Sequence, residues 1–142
     1  MKRKIITLCF LALVALLLVP YAAFAANYVK PDIFKQWLAS NKQIVIVDIQ
    51  TAENFGTHHF KGSIETNAFP AKSDEEKKQL DKILPKIQSS KGEVVIICPK
   101  GKGGALNTYD YLKSKGVPDN RLLILEGGID GWPYPELFVK GR

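Results

Sequence analysis

Two hydrophobic periods alternate along the chain. Residues 44–49, 93–97 and 122–125 are short, nearly continuous runs rich in Val, Ile and Leu. Such runs predict strands buried on both faces of a sheet. Between them, apolar residues fall three and four apart, the spacing of a helix with one buried stripe. Residues 31–40 place Ile33, Phe34, Trp37 and Leu38 on one face, with Pro31 in the first turn. Thr51 caps a short helix carrying Glu53 and Phe55. Ser73 and Glu76 form a capping-box pair ahead of Leu80, Ile83, Leu84 and Ile87, and Pro85 is expected to kink that helix or end it early. Residues 104–115 turn Ala105, Tyr109 and Leu112 inward, and Gly116 supplies the stop. The alternation predicts an α/β domain whose mainly parallel central sheet is flanked by helices on both faces. Ligands of such sheets sit beyond the carboxyl ends of the strands, where Cys98 follows the second long run.

The N-terminus breaks this pattern. Lys2, Arg3 and Lys4 precede an apolar stretch over 5–19, Pro20 interrupts it, and Ala23-Phe24-Ala25 is a small-x-small triplet. These are the parts of a secretory signal peptide, and the stretch is shorter than the ~20 residues of a spanning helix. Residues 1–25 are therefore expected to be cleaved, leaving residues 26–142 as one periplasmic or secreted domain with no stable membrane anchor. No Cys stands just after the cut, which argues against a lipid anchor. Cleavage also changes the charge. The chain has 20 basic and 14 acidic residues; losing Lys2, Arg3 and Lys4 leaves 17 against 14, or +3. So mild an excess, without a long run of one sign, gives no reason to expect a nucleic-acid partner. The Lys residues of 72–91 interleave with Asp74, Glu75, Glu76 and Asp81, as on a solvated helix face.

Cleavage removes Cys9 as well, so Cys98 is left without an intramolecular disulfide partner. Its surroundings then decide its role. Cys98 is followed by Pro99, Lys100, Gly101, Lys102, Gly103 and Gly104, and a helix begins at once. Glycines let the backbone curl so that successive N–H groups converge on one point. The helix adds its positive end, and the two lysines add charge. Each favours a thiolate, making Cys98 the candidate nucleophile and residues 99–104 the candidate substrate cradle. The plain alternative is a core cysteine beside an ordinary turn. Spacing excludes other readings. No nucleotide-loop string occurs, and counting from Gly101 the dinucleotide pattern meets Leu106 where it needs glycine. A cysteine phosphatase wants Arg six positions after the nucleophile, where Gly104 stands. No cofactor is expected. Nor is a metal: His58 and His59 are adjacent, and neighbouring side chains rarely converge on one ion. Asp48 is expected to bond local backbone, and Trp132 to pack near the pocket rim.

Four segments, in order, resemble the rhodanese family over nearly the whole of 26–142. Residues 44–50, Ile-Val-Ile-Val-Asp-Ile-Gln, resemble its strand ending in Asp-x-Arg. Glu53-x-Phe55 with His59-Phe60-Lys61-Gly62-Ser63 resembles its Glu-Phe and Gly-His-Ile-x-Gly-Ala stretch. The strand into Cys98 and its loop is the third. Leu125-Glu126-Gly127-Gly128 through Trp132 is similar to its Leu-x-Gly-Gly-x-x-x-Trp. The resemblance implies a sulfurtransferase with a persulfide on Cys98. The donor would be a small sulfur-containing anion such as thiosulfate or polysulfide. The acceptor would be a thiol, cyanide or a sulfur-relay protein. The alternative is a carrier that holds sulfur for a partner without turnover. Gln50 replaces the family's Arg, so its ion pair with a carboxylate is expected to be missing. His58 stands where Gly is usual. The loop's positive groups are Lys100 and Lys102, which bring charge without a guanidinium fork.

Overall fold

The computed structural model describes residues 25–142. The leader predicted over 1–25 therefore lies, but for Ala25, outside the described residues. Parallel strands β1 (Tyr28–Val29), β6 (Leu122–Leu125), β5 (Glu93–Ile97), β2 (Ile44–Asp48) and β4 (Ile64–Glu65) lie side by side in that order. The longest pairing runs from Ile44↔Glu93 to Asp48↔Ile97 and puts β2 and β5 at the centre. A ribbon of β3 (His59–Phe60) and β7 (Phe138–Val139) pairs antiparallel beside the sheet.

The continuous apolar runs follow from cover on both faces. Side chains alternate along a strand, so Val45, Val47, Val94 and Ile96 enter one core while Ile46, Val95 and Ile97 enter the other. The first core is closed by α3 (Asp74–Asp81), α4 (Leu84–Ser89) and α5 (Gly103–Ser114), through Leu80, Ile87, Ala105, Tyr109 and Leu112. The second is closed by α1 (Pro31–Ala39) and the ribbon. There Phe34, Phe60 and Trp132 meet edge to face with ring centres 4.9–5.8 Å apart. Trp132 is a core residue whose indole N–H donates to the Tyr134 carbonyl.

Helix ends follow their local chemistry: Thr51 Oγ1 accepts from the Asn54 amide at the start of α2 (Ala52–Thr57). Ser73 Oγ accepts from the Glu76 amide, and the Glu76 carboxylate accepts from the Ser73 amide, completing the capping box. The apolar stripe of 80–87 is divided between two helices: α3 stops at Asp81 and α4 begins with Pro85 in its first turn. Proline removes a donor, and its ring clashes with the carbonyl four residues back, which is Asp81. Helix α5 ends in a left-handed Gly116 (φ +93°), with Val117 N–H donating to Leu112 and Gly116 N–H to Lys113. One expectation fails in α1. Phe34 is fully buried, but Ile33 is 40% exposed. Each residue turns the helix by about 100°, so Ile33 sits at the edge of a stripe centred on Phe34, Trp37 and Leu38.

Candidate active site

Strand β5 delivers Cys98 to the carboxyl edge of the sheet between β2 and β6, at 2% exposure. The chain then reverses over the sulfur: Gly101, at φ +64°, points its N–H at Cys98 Sγ, 3.0 Å away. Two residues later α5 begins, with Lys102 at its N-cap and no side chain capping its first turn. A buried sulfur, one amide donor and the positive end of a helix form an arrangement that can hold negative charge on sulfur.

A second glycine turn holds the loop from outside. After β6, Gly127 (φ +77°) and Gly128 (φ +63°) turn the chain back, and the N–H groups of Ile129 and Asp130 donate to the carbonyls of Cys98 and Pro99, each at 2.9 Å. The two backbones are in contact. A Cβ on Gly128 would lie 2.5 Å from the Cys98 carbonyl oxygen, the Pro99 carbonyl oxygen and the Gly101 nitrogen. On Gly101 it would lie 2.6 Å from the Leu125 carbonyl oxygen. Only glycine fits either place. Gly127 and Gly128 thus position the sulfur loop, a role that their sequence pattern alone does not disclose.

The residues of the predicted cradle differ in burial. Cys98, Pro99 and Gly101 come together, and Gly104 is buried beside them. Lys100 and Lys102 are exposed, and their side chains make no hydrogen bond or ion pair among the described residues. Gly103 is exposed, with nothing within 4 Å of where a Cβ would stand.

Phe69 is the residue that sequence reading missed. A Cβ on Gly104 would lie 2.8 Å from the Phe69 ring and 3.4 Å from Ile49 Cδ1. The ring therefore fills the space that a side chain at 104 would take, while Phe69 stays 39% exposed. Its one sequence signal is an aromatic residue standing in a turn-rich stretch between Asn67 and Pro70.

Asp48, beside the cradle at the end of β2, is fully buried. Its carboxyl accepts from the Gln50 amide (2.9 Å) and from Gln50 Nε2 (3.1 Å), and Nε2 also donates to the His58 carbonyl at 3.2 Å. Asp48 thus ties local backbone, and Gln50 supplies dipoles instead of a guanidinium charge. Burial pushes the Asp48 carboxyl up to about 6, against the lowering effect of the Gln50 hydrogen bonds. The adjacent histidines go different ways. His59 stacks on Phe55 and its Nδ1 is 2.8 Å from the Phe55 carbonyl, whereas His58 leans on Phe138. His58 is in extended backbone (φ −165°), so no glycine is needed there. Among the described residues no three His, Cys, Asp or Glu side chains are grouped to hold a metal. A cleft of about 640 Å³ lies elsewhere, between α1 and the ribbon, lined by Trp37, Leu38, Ile44 and Phe138 but not by Cys98.

An α/β domain that presents a buried thiol from a glycine loop, at the carboxyl edge of a parallel sheet, defines a class. Residues 30–133 match the model of the rhodanese-like domain, and the chain belongs to that family. Solved structures agree on the fold. A rhodanese-like domain protein from Staphylococcus aureus superposes with a TM-score of 0.62 at 19% identity, covering 82% of this chain and 99% of that one. A thiosulfate sulfurtransferase from Pseudomonas aeruginosa gives 0.63 at 17%, covering 82% of this chain and 20% of that one. A yeast protein described as a tyrosine phosphatase of the rhodanese family gives 0.59 at 19%, covering 77% and 86%. No curated protein matches the chain.

Proposed function

We propose that the protein is an exported sulfurtransferase that carries sulfane sulfur as a persulfide on Cys98. The Gly101 amide directed at Cys98 Sγ, in a loop clamped by a second backbone turn, carries this reading. Both half-reactions balance without an oxidant. The thiolate attacks the outer sulfur of thiosulfate; the Sγ–S bond forms as the S–S bond to sulfite breaks, and sulfite leaves with the electron pair. Cyanide or a thiolate then attacks the terminal sulfur of the persulfide, and the Cys98 thiolate is the leaving group. The amide and the helix end stay in place throughout, so the sulfur charge is stabilised without reorganisation.

Phosphate-ester hydrolysis, suggested by the yeast relative's description, is less well supported. The position that should carry a clamping arginine is Gly104, and the Phe69 ring occupies the space beside it. The test loads residues 26–142 with thiosulfate, polysulfide or an organic persulfide and follows intact mass. One cyanide-removable sulfur atom is expected, and Cys98→Ser should abolish both the added mass and the turnover. Persistent turnover in the serine variant would remove Cys98 from the mechanism, while loading without rapid release would mark a carrier.

A further inference from the structure

Position 104 is where a cysteine phosphatase would carry its phosphate-clamping arginine, and the structure shows what stands there instead. Phe69 is built into its place. Its N–H donates to the Ile49 carbonyl (2.9 Å), and Ile49 N–H donates to Ile97, next to Cys98 in β5. The following residue, Pro70, is held through its carbonyl by Asn107 Nδ2 of α5 (3.0 Å). Ala68 and Ala71, on either side, are fully buried in the same packed cluster as Cys98, Ile49 and Ala105. The backbone that carries the ring is thus anchored from two sides and the ring lies against Gly104, yet 39% of Phe69 remains open to solvent. A half-exposed aromatic so anchored contributes little to the core and offers an apolar surface at the edge of the cradle.

We propose that Phe69 is a specificity-determining wall which, by occupying the space over Gly104, turns the Cys98 site from oxyanions toward organic persulfides, R–S–SH, with an apolar R group. The substrate class rests on the sulfur-transfer reading; the wall rests on the packing alone. In the step it selects, the Cys98 thiolate attacks the terminal sulfur of R–S–SH. The Sγ–S bond forms, the inner S–S bond breaks, and R–S⁻ leaves with the electron pair while the proton stays on the transferred sulfur. R lies against the ring as it leaves. An oxyanion donor gains nothing from that surface and finds no fork of donors opposite it.

The test separates the wall from the reaction by first using reagents that need only a reactive thiol. Benzyl methanethiosulfonate and 2-sulfonatoethyl methanethiosulfonate transfer R–S to a thiolate by the same chemistry and release the same sulfinate, one with an apolar R and one with an anion. Phe69→Ala should lower the benzyl-to-sulfonatoethyl ratio of rate constants at Cys98 by at least about fivefold, the lower end of what an apolar contact contributes to discrimination, less solvent exposure. Phe69→Gln should behave like alanine, and Phe69→Leu should keep most of the preference. If the alanine variant does not fold, the leucine–glutamine comparison decides alone. A ratio that moves less than about twofold, or rates that fall equally for both reagents, would overturn the wall. The same variants are then assayed with benzyl persulfide and thiosulfate, where kcat/KM for the persulfide should fall selectively. A changed reagent ratio in a protein that accepts sulfur from no donor would defeat the sulfur-transfer reading and leave the wall standing. Sulfur loading with a flat ratio would do the reverse.

Discussion

Asp48 shows how one substitution in a family motif changes the physics of a buried group. Its carboxyl is held by Gln50 dipoles, and burial raises it from 3.8 to about 6. Between those pH values the folded chain keeps a proton that the unfolded chain has lost. The stabilisation is therefore complete below pH ~4 and lost as pH rises through 6, up to about 3 kcal/mol for such a shift. Gln50→Arg would place a cation on the carboxylate, so its loss of stability between pH 4 and 7 should be smaller by at least about 1.4 kcal/mol, one pKa unit. Urea unfolding at both pH values measures this, and equal losses in the two proteins would clear Asp48 of the effect. Lys100 and Lys102 are a second case at this scale. They are exposed, so their influence is screened attraction of an anionic donor. Reversing both to Glu should lower kcat/KM for thiosulfate by roughly tenfold at low salt, as ~1.4 kcal/mol would, and by less as salt rises. A neutral donor should be affected least, and a loss independent of salt would point to damage of the loop.

Among the elements, the interlocked turns after β5 and β6 are the sensitive point. Gly128 has a left-handed backbone and three backbone atoms 2.5 Å from where a Cβ would go, whereas Gly116, also left-handed, has nothing within 4 Å. Gly116→Ala should cost about 1–2 kcal/mol of strain at the end of α5 and leave Cys98 reactivity unchanged. Gly128→Ala must part the two turns as well, so it should cost clearly more and slow alkylation of Cys98. Denaturant midpoints and alkylation rates of the two variants test the contrast. Equal effects would mean that the clamp does not position the sulfur.

For the whole molecule, the short edge strand β1 is the weak boundary. It is tied to the body by Ile124 N–H to Asn27, Glu126 N–H to Val29, and a polar knot beneath. In that knot the Tyr109 hydroxyl donates to Asp119 Oδ1 (2.8 Å) and accepts from Asn27 Nδ2 (2.9 Å). Tyr109→Phe should remove about 1 kcal/mol and speed hydrogen exchange at Ile124 and Glu126, with the β2–β5 amides unaffected. Uniform acceleration would mean global destabilisation instead. Export is the remaining expectation at this scale. Protein recovered from the extracytoplasmic fraction should begin at Ala26, and a mass that retains residues 1–25 would rule out cleavage.

The sequence alone determined those features whose causes are local. Residues 44–49, 93–97 and 122–125 had to be central strands because side chains of both parities are apolar. Ser73 with Glu76, Pro85, and Gly116 fixed helix ends through bonds or clashes within a few residues. Cys98 in its glycine loop was legible for the same reason. The tertiary structure decided what depends on distant partners. Strands β1, β3, β4 and β7 are two residues each, too short for any period, and exist only because a neighbouring strand supplies their hydrogen bonds. Gly101 and Gly128 lie 27 positions apart, and their mutual need for a missing side chain appears only where two turns touch. Phe69 lies 35 positions before Gly104, and no spacing rule links them. A loop's local geometry is written in its own residues, but the surface it presents to a substrate is completed by whatever the fold sets against it.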